Sequence, residues 1–309
     1  MNPSSSTHEG TPYSAAKHAW AQYRVWSATS RKLKAELTSW QFRVLVLTLV
    51  GAILGTLSQQ FAGWGWVSNF SGWGSAIALG TAAFFSREIL KPDKERHWVR
   101  ARSAAEAYKS QTYLFLANAP PYDKDDKVKV LFNKTDQLYK SVKELQETNI
   151  SDEMKHKGLP SDPLSINDYM HMRVNDQIQK YYRPQAAKHA TIVKRGSAIG
   201  LVLGVLAVAL GALEGSGISK FTAGWIAVVT TATTAVGSYL YAGRHQYLVI
   251  SYQATARRLE WLRDRWQASG KSDSDTEDRN QFICNCEDAI SVENSAWMAE
   301  WDKQERSGR

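Results

Sequence analysis

Three stretches of this chain contain no Lys, Arg, Asp or Glu, and they restrict the folds that it can adopt. The stretches are residues 44–86, 196–213 and 221–243. A helix needs about 20 mostly apolar residues to cross the roughly 30 Å hydrocarbon layer of a membrane. The first stretch has room for two crossings and each of the others for one. The pattern therefore predicts an integral membrane protein.

Breaks in the apolar pattern divide these stretches into two helical hairpins. The middle of the first stretch is rich in Gly, Gln, Asn and Ser, which mark a loop. A short segment that begins at Glu214 separates the second and third stretches. For the third helix, a buried core helix is the alternative. We predict membrane helices near residues 42–59, 72–89, 196–213 and 220–242.

Basic residues predict how the hairpins are oriented. Of the 38 Lys and Arg residues, only Lys220 falls in a predicted outer loop. Cytoplasmic loops carry an excess of Lys and Arg, so both termini are predicted to be cytoplasmic and the membrane to be the inner (plasma) membrane. The predicted interface residues are Trp64, Trp66, Trp73, Arg87, Arg244, His97 and His245. The two histidines are interfacial anchors or, alternatively, sense pH.

The net charge of +8 favours binding to an anionic partner. Each juxtamembrane Lys or Arg is attracted to anionic lipids by about 1 kcal/mol. The expected partners are therefore the bilayer and the anionic lipids of its cytoplasmic face. A basic face interleaved with aromatics, which nucleic acids require, is not isolated anywhere in the sequence, and we expect no nucleic-acid partner. Nor is a cleavable signal peptide expected, because about forty polar residues precede the first apolar run.

The two hairpins belong to an internal duplication. Gly51 and Gly55 match Gly200 and Gly204 at an offset of 149 residues, and His97 matches His245 at an offset of 148. Long cytoplasmic helices flank each hairpin, and no segment alternates as a strand, so an all-α fold with a cytoplasmic bundle is expected. The predicted domains are a disordered terminus (1–14), a first repeat (15–117), a connecting helix and loops (118–166) and a second repeat with the C-terminal helix (167–309).

The second repeat resembles a known family. The motifs are the sequence of residues 179–187 (QKYYRPQAA), the Gly200/Gly204 helix, and the ending of residues 292–297 (VENSAW). They are similar to the SLATT group of bacterial two-helix membrane effectors, and to a related four-helix membrane family of unknown function. The likeness covers residues 167–301 well and 15–117 weakly. The resemblance implies a pore-forming membrane protein tied to a nucleotide-signalled defence system.

Hydroxyl groups form a stripe on the fourth predicted membrane helix. Thr230, Thr234 and Ser238 recur at every fourth residue, with Thr231 beside them. Two interpretations are open. The stripe lines a water-filled path for ions, or each hydroxyl bonds the carbonyl one turn back and packs against a neighbour.

Small and acidic residues add two further hypotheses. The glycine pairs Gly51/Gly55 and Gly200/Gly204 permit close helix packing, either within one hairpin or between subunits. Glu214 forms a cation-attracting ring at the outer mouth of an oligomer, or it is a solvated loop charge paired with Lys220.

Enzyme chemistry finds no support in the sequence, and we predict neither catalytic residues, nor a cofactor, nor a metal site. Cys284 and Cys286 lack matching histidines, and the acidic loop at residues 273–278 lacks the glycine of a calcium loop. The expected function is a homo-oligomeric channel that passes ions. The alternative is a non-conducting membrane scaffold or sensor that recruits a cytoplasmic partner.

Overall fold

The computed structural model describes residues 12–88, 92–217 and 221–307, with side chains up to residue 291. These residues form helices joined by turns, and no strand occurs among them. The predicted all-α fold is therefore confirmed. Two π-helical segments, Met170–Asn175 and Gln177–Tyr182, continue α6 into α7 without a break. The helices are α1 (Pro12–Gln60), α2 (Gly65–Glu88), α3 (Pro92–Leu116), α4 (Lys127–Val142), α5 (Asp152–His156), α6 (Ile166–Tyr169), α7 (Arg183–Gly215), α8 (Thr222–Ala242), α9 (His245–Ala268) and α10 (Thr276–Ser307).

Two expected non-helical segments are helical. The loop predicted at residues 60–71 is only a turn at 61–64, so Trp66 and Trp73 lie on α2. The amides of Val67 and Ser68 donate to the carbonyl of Trp64, which starts α2 early. Residues 12–14, assigned to a disordered terminus, belong to α1, because proline at a helix start loses no hydrogen bond. Residues 1–11, 89 and 220, which carry other parts of these predictions, lie outside the described residues.

The chain divides into two compact units. Among the described residues, unit 1 comprises those within 12–33, 96–184 and 251–307, and unit 2 comprises those within 34–88, 92–95, 185–217 and 221–250. Each predicted repeat contributes to both units, so the units do not coincide with the repeats. The duplication itself remains a prediction.

Unit 1 has the interior of a water-soluble helical bundle. One of its clusters is built around Trp26, which is fully buried among Ala101, Ala104, Tyr108 and Val142. Small alanines on α3 let the indole of Trp26 approach the helix closely. Burying an aromatic side chain of this size stabilises a fold by roughly 1.5–3 kcal/mol.

Unit 2 has the opposite distribution. Its buried residues are mostly small or hydroxyl-bearing, and they include Thr56, Ser71, Ser75, Ala78, Ala82 and Thr222. Large apolar side chains face outward instead: Trp66 is 79% exposed and Val208 is 74% exposed. Membrane helices pack through small residues and direct large ones to the lipid. Unit 2 therefore has the interior and the surface of a helical membrane protein.

Two helices of the described chain are long and apolar enough to cross a membrane. They are α1, with a mean hydropathy of 1.6 over its most apolar window, and the continuous helix Ile166–Gly215, with 2.3. Only 11% and 6% of these windows are buried, unlike the core helices of soluble proteins. α2 and α8 are not among the two, so four membrane crossings remain a prediction.

Candidate functional site

Helices α1 and α2 pack closely through the first glycine pair. The hydroxyl of Ser75 donates to the carbonyl of Gly51 at 2.8 Å. A Cβ atom at Gly51 would lie 2.6 Å from Cγ of Leu79, and one at Gly55 would lie 3.0 Å from Oγ of Ser75. Gly51 and Gly55 therefore pack within this hairpin. Their counterparts Gly200 and Gly204 have open space around the Cβ position.

Helix α8 lies along α1 in unit 2. The hydroxyl of Thr56 donates to the carbonyl of Gly224 at 3.2 Å, and the amide of Gln60 donates to the carbonyl of Phe221 at 2.9 Å. A Cβ atom at Gly224 would lie 2.8 Å from the methyl carbon of Thr56. These contacts join the end of α1 to the start of α8.

Between α1, α2 and α8 lies an open groove of about 730 Å³. All four residues of the predicted hydroxyl stripe line it. The opposite wall adds further neutral polar groups, and no lining residue carries a charge. Its lining residues are Gln41, Val44, Leu45, Thr48, Ser86, Ala227, Thr230, Thr231, Thr234, Ala235, Ser238, Tyr239 and Ala242.

Internal hydrogen bonds determine what the hydroxyl groups present to the groove. Thr230 donates to the carbonyl of Ile226 and Thr48 donates to the carbonyl of Val44, each at 2.9 Å. The hydroxyl of Thr230 thus bonds the carbonyl one turn back, as one of the two interpretations of the stripe predicts, and its side chain also lines the groove. Because the proton is already donated, each oxygen offers only lone pairs to the groove. Such a wall can coordinate cations better than anions.

Glu214 lies in the last turn of α7. Its carboxylate accepts a hydrogen bond from the hydroxyl of Thr222, which is buried. Lys220, the partner considered for it above, lies outside the described residues. Glu214 is therefore held by the start of α8 and is only partly exposed.

The predicted interface residues lie in two kinds of surroundings. Trp64, Trp66 and Trp73 are 63–79% exposed, as rings at a headgroup boundary would be in the absence of lipid. Arg87 and His97 are also exposed, whereas Arg244 is half-buried in the turn before α9.

His245 differs from His97, although the sequence treats the two as equivalents. It is 8% exposed, and its Nδ1 atom lies 2.7 Å from Nδ1 of His189, which is 4% exposed. No local sequence signal links His189 to His245, because the two histidines are 56 residues apart.

The carboxyl group of Glu95 lies near Arg244, in the turn before α9, and has a shifted pKa. Burial raises its pKa from 4.5 to about 7, and the nearby Arg244 offsets only part of that effect. The folded chain thus retains a proton that the unfolded chain loses, so stability falls as the pH rises from about 4.5 to 7. We expect the variant Glu95→Gln to lose this part of the pH dependence, measured by urea unfolding of the detergent-solubilised protein across that range. The exposed Glu153→Gln is the control; an unchanged profile in Glu95→Gln would contradict the prediction.

A buried ion cluster in unit 1 was not predicted from the sequence. The guanidinium of Arg173, fully buried, donates to both carboxylate oxygens of Glu287, at 2.8 and 2.6 Å. It also lies 2.7 Å from the carboxylate of Glu106. The hydroxyl of Tyr169 donates to Glu287 at 2.9 Å. The cluster joins α3, α10 and the π-helical segment of Arg173.

The cysteines and the acidic loop lie near the start of α10. Cys286 is buried and Cys284 is half-buried. Asp275 accepts from the amide of Ser272, and Asp273 and Asp278 form ion pairs with Arg279 and Lys271. In the described part of the chain, no group of three or more His, Cys, Asp or Glu residues is arranged to hold a metal ion.

The described residues include two long apolar helices, and unit 2 carries its large apolar side chains outside; these are features of a helical membrane protein. Residues 169–297 match the SMODS and SLOG-associating 2TM effector domain 1 (SLATT_1). Residues 20–129 match a protein family of unknown function (DUF4231). Residues 169–297 are thus SLATT-like, and the resemblance inferred from the sequence is confirmed. Neither the curated proteins nor the solved structures gave a match.

Proposed function

We propose that this protein forms an oligomeric membrane pore for ions, with the hydroxyl-lined groove of unit 2 facing the conducting path. One observation carries the proposal: Thr230, Thr231, Thr234 and Ser238 share a single groove with Gln41, Thr48 and Ser86. A row of neutral hydroxyl and amide groups within an otherwise apolar groove suits a passive ion path, since the wall of such a path can be neutral.

The open side of the groove supports an oligomer. Thr230, Thr234 and Ser238 are exposed within one chain, and lipid offers their oxygens no hydrogen-bond partner. Water, or the same surface of further copies around a central axis, satisfies them. Four helices of one chain are too few to enclose a wide path. The open Gly200/Gly204 surface of α7 gives a second place where another copy can approach closely.

The chemistry of the wall favours cations. Thr48 and Thr230 present only lone pairs to the groove, because their protons are bound internally. An oxygen-lined path replaces part of the hydration shell of a cation. A chain without a charged residue in its path fits passive conduction better than proton-coupled transport, which generally needs an ionisable group in the membrane.

The proposal includes a location and a context. Both termini and the whole of unit 1 lie in the cytoplasm, at the inner membrane, with juxtamembrane Lys and Arg residues against anionic lipids. The matched domain is named an effector domain that associates with SMODS and SLOG. We place the pore in a defence-type system of that kind, in which opening changes the ion gradients of the cell.

Flux from liposomes tests the proposal. The purified full-length chain is reconstituted into vesicles that contain anionic lipid, and release of K⁺ and of Cl⁻ is followed separately. We expect K⁺ release to exceed Cl⁻ release. If neither K⁺ nor Cl⁻ is released at any pH or membrane potential tried, the pore hypothesis is wrong.

Substitution of two threonines tests whether the hydroxyl stripe lines the ion path. We expect Thr230→Leu and Thr234→Leu each to lower K⁺ flux by roughly tenfold, because losing an oxygen ligand costs about 1–1.5 kcal/mol. Thr233→Leu is the matched control: Thr233 lies on the same helix and donates to the carbonyl of Val229 at 2.9 Å, but it is not among the lining residues. Equal flux in all three variants would remove the stripe from the path.

A non-conducting scaffold is the second candidate, and one surface of unit 1 favours it. Trp261 on α9 is 48% exposed, with the guanidinium groups of Arg258 and Arg265 at 4.7 and 5.3 Å from its ring. Exposed tryptophan and arginine are the residues that most often dominate protein interfaces. If liposomes show no flux, loss of a cytoplasmic partner in Trp261→Ala would identify this function.

A further inference from the structure

Two buried imidazoles meet at the end of α8. His189 on α7 and His245 at the start of α9 both belong to unit 2, and their Nδ1 atoms are 2.7 Å apart. At this distance one Nδ1 must carry a proton and donate it, while the other accepts with its lone pair. A singly protonated pair keeps this bond, because its neutral imidazole still accepts; once both imidazoles are protonated, both Nδ1 atoms are donors and the hydrogen bond cannot exist.

Like charges surround the pair. Lys34 on α1 and Lys188 on α7 both disfavour a positive charge on His245, and burial acts in the same direction. From α8, the ring of Tyr239 faces His245 with 6.0 Å between the centroids. Arg244 precedes His245 in the chain, and Glu95 on α3 interacts electrostatically with Arg244. These groups favour the pair with only one shared proton.

The pair is connected to the groove through two residues of the α8 end. Tyr239 lines the groove and also faces His245. The backbone of Gly243 is so close to the imidazole of His245 that a Cβ atom would lie within 3 Å of three ring atoms. A rotation of the His245 ring therefore changes its contacts with Tyr239 and with the end of α8.

We propose that His189 and His245 form a proton-operated latch at this end of the groove. With one shared proton the latch is closed and holds the start of α9 against α7. When both imidazoles are protonated, the two positively charged rings repel each other and separate, Tyr239 moves, and the end of the groove opens. The role of the latch as a gate rests on the proposed pore, whereas its pH-dependent change of conformation does not.

The direction of the pH response follows from the surroundings. Burial, Lys34 and Lys188 lower the pKa of His245 below its ordinary value. The unfolded or opened state thus binds protons more readily than the closed state. The closed latch is fully stable above the ordinary histidine pKa of about 6.5, and its stability is lost as the pH falls below that value.

Hydrogen–deuterium exchange and flux, measured on the same reconstituted chain at about pH 7.5 and about pH 5.5, test the latch. Exchange rates of the peptides that cover residues 239–250 are corrected for the intrinsic effect of pH. We expect exchange and K⁺ flux both to rise by at least about fivefold at the acid pH. His189→Gln and His245→Gln each remove the titration while keeping a polar group, so either should abolish the difference.

Two variants serve as controls. His97 occupies the corresponding position of the first hairpin but is exposed, so His97→Gln should keep the full response. Glu95→Gln should also keep it, which separates the latch from the titration of that carboxyl group. An acid response retained in His189→Gln and His245→Gln would overturn the latch.

The possible results separate the latch from the pore. If the vesicles show ion flux, but neither the flux nor the hydrogen exchange changes with pH, the latch is contradicted and the pore is not. A change in exchange that depends on both histidines, in vesicles that show no flux at any pH, supports the latch as a conformational switch and sinks the pore.

Discussion

Replacing Arg173 with methionine is expected to lower the free energy of unfolding by about 3–5 kcal/mol. Methionine fills much of the space of the arginine stem but removes the guanidinium that faces Glu287 and Glu106. Glu287, which is 4% exposed, is then left without its ionic partner. An isolated carboxylate in such a site is costly, since burial penalises the charged form. Urea unfolding of the full chain in detergent, followed by circular dichroism, measures the loss.

Two further variants make this prediction specific. Lys140→Met removes one member of the exposed ion pair with Asp136, and it should cost less than about 1 kcal/mol. The double variant Arg173→Met/Glu287→Leu removes both charges, and it should recover a large part of the loss because no buried charge remains at that position. If Arg173→Met costs no more than Lys140→Met, the cluster does not stabilise unit 1.

The parts of this structure that could be predicted are those with local sequence signals. A charge-free run of 23 residues predicts α8. Hydroxyl residues four positions apart fall on one face of this helix, because a helix has 3.6 residues per turn. The grouping of Thr230, Thr234 and Ser238 in one groove follows from that spacing. The early start of α2 was missed because Gly, Asn and Ser ordinarily end helices, whereas a turn of four residues already satisfies the backbone there.

The remaining parts depend on contacts between distant residues. Arg173 meets Glu287 across 114 positions, and His189 meets His245 across 56. A charged residue on an amphipathic helix has the same local pattern whether it faces water or a buried partner. Sequence spacing therefore made His97 and His245 equivalent, although one is exposed and the other is buried.

Valine at Gly51 and valine at Gly200 should have different effects, although the two glycines occupy matching positions of the predicted repeats. Gly51 faces α2, where a Cβ atom would meet Cγ and Cδ2 of Leu79 at 2.6 and 2.7 Å. The larger side chain must push α1 and α2 apart, and we expect a loss of about 1–3 kcal/mol in the free energy of unfolding. Gly200 has nothing within 4 Å of its Cβ position, so valine there should leave the stability of a single chain unchanged or slightly improved, since glycine is a poor helix former.

The same pair of variants also separates packing within a chain from packing between chains. Denaturation in mixed micelles at high dilution reports the stability of one chain, and crosslinking in vesicles reports assembly. Gly51→Val should destabilise the chain in dilute micelles, whereas Gly200→Val should act only on assembly, if its open surface receives α7 of another copy. Equal losses of stability in the two variants would contradict the difference between the hairpins. A Gly200→Val chain that assembles normally would move the contact between copies away from α7 and toward the open side of the hydroxyl-lined groove, where Thr230 and Thr234 are exposed.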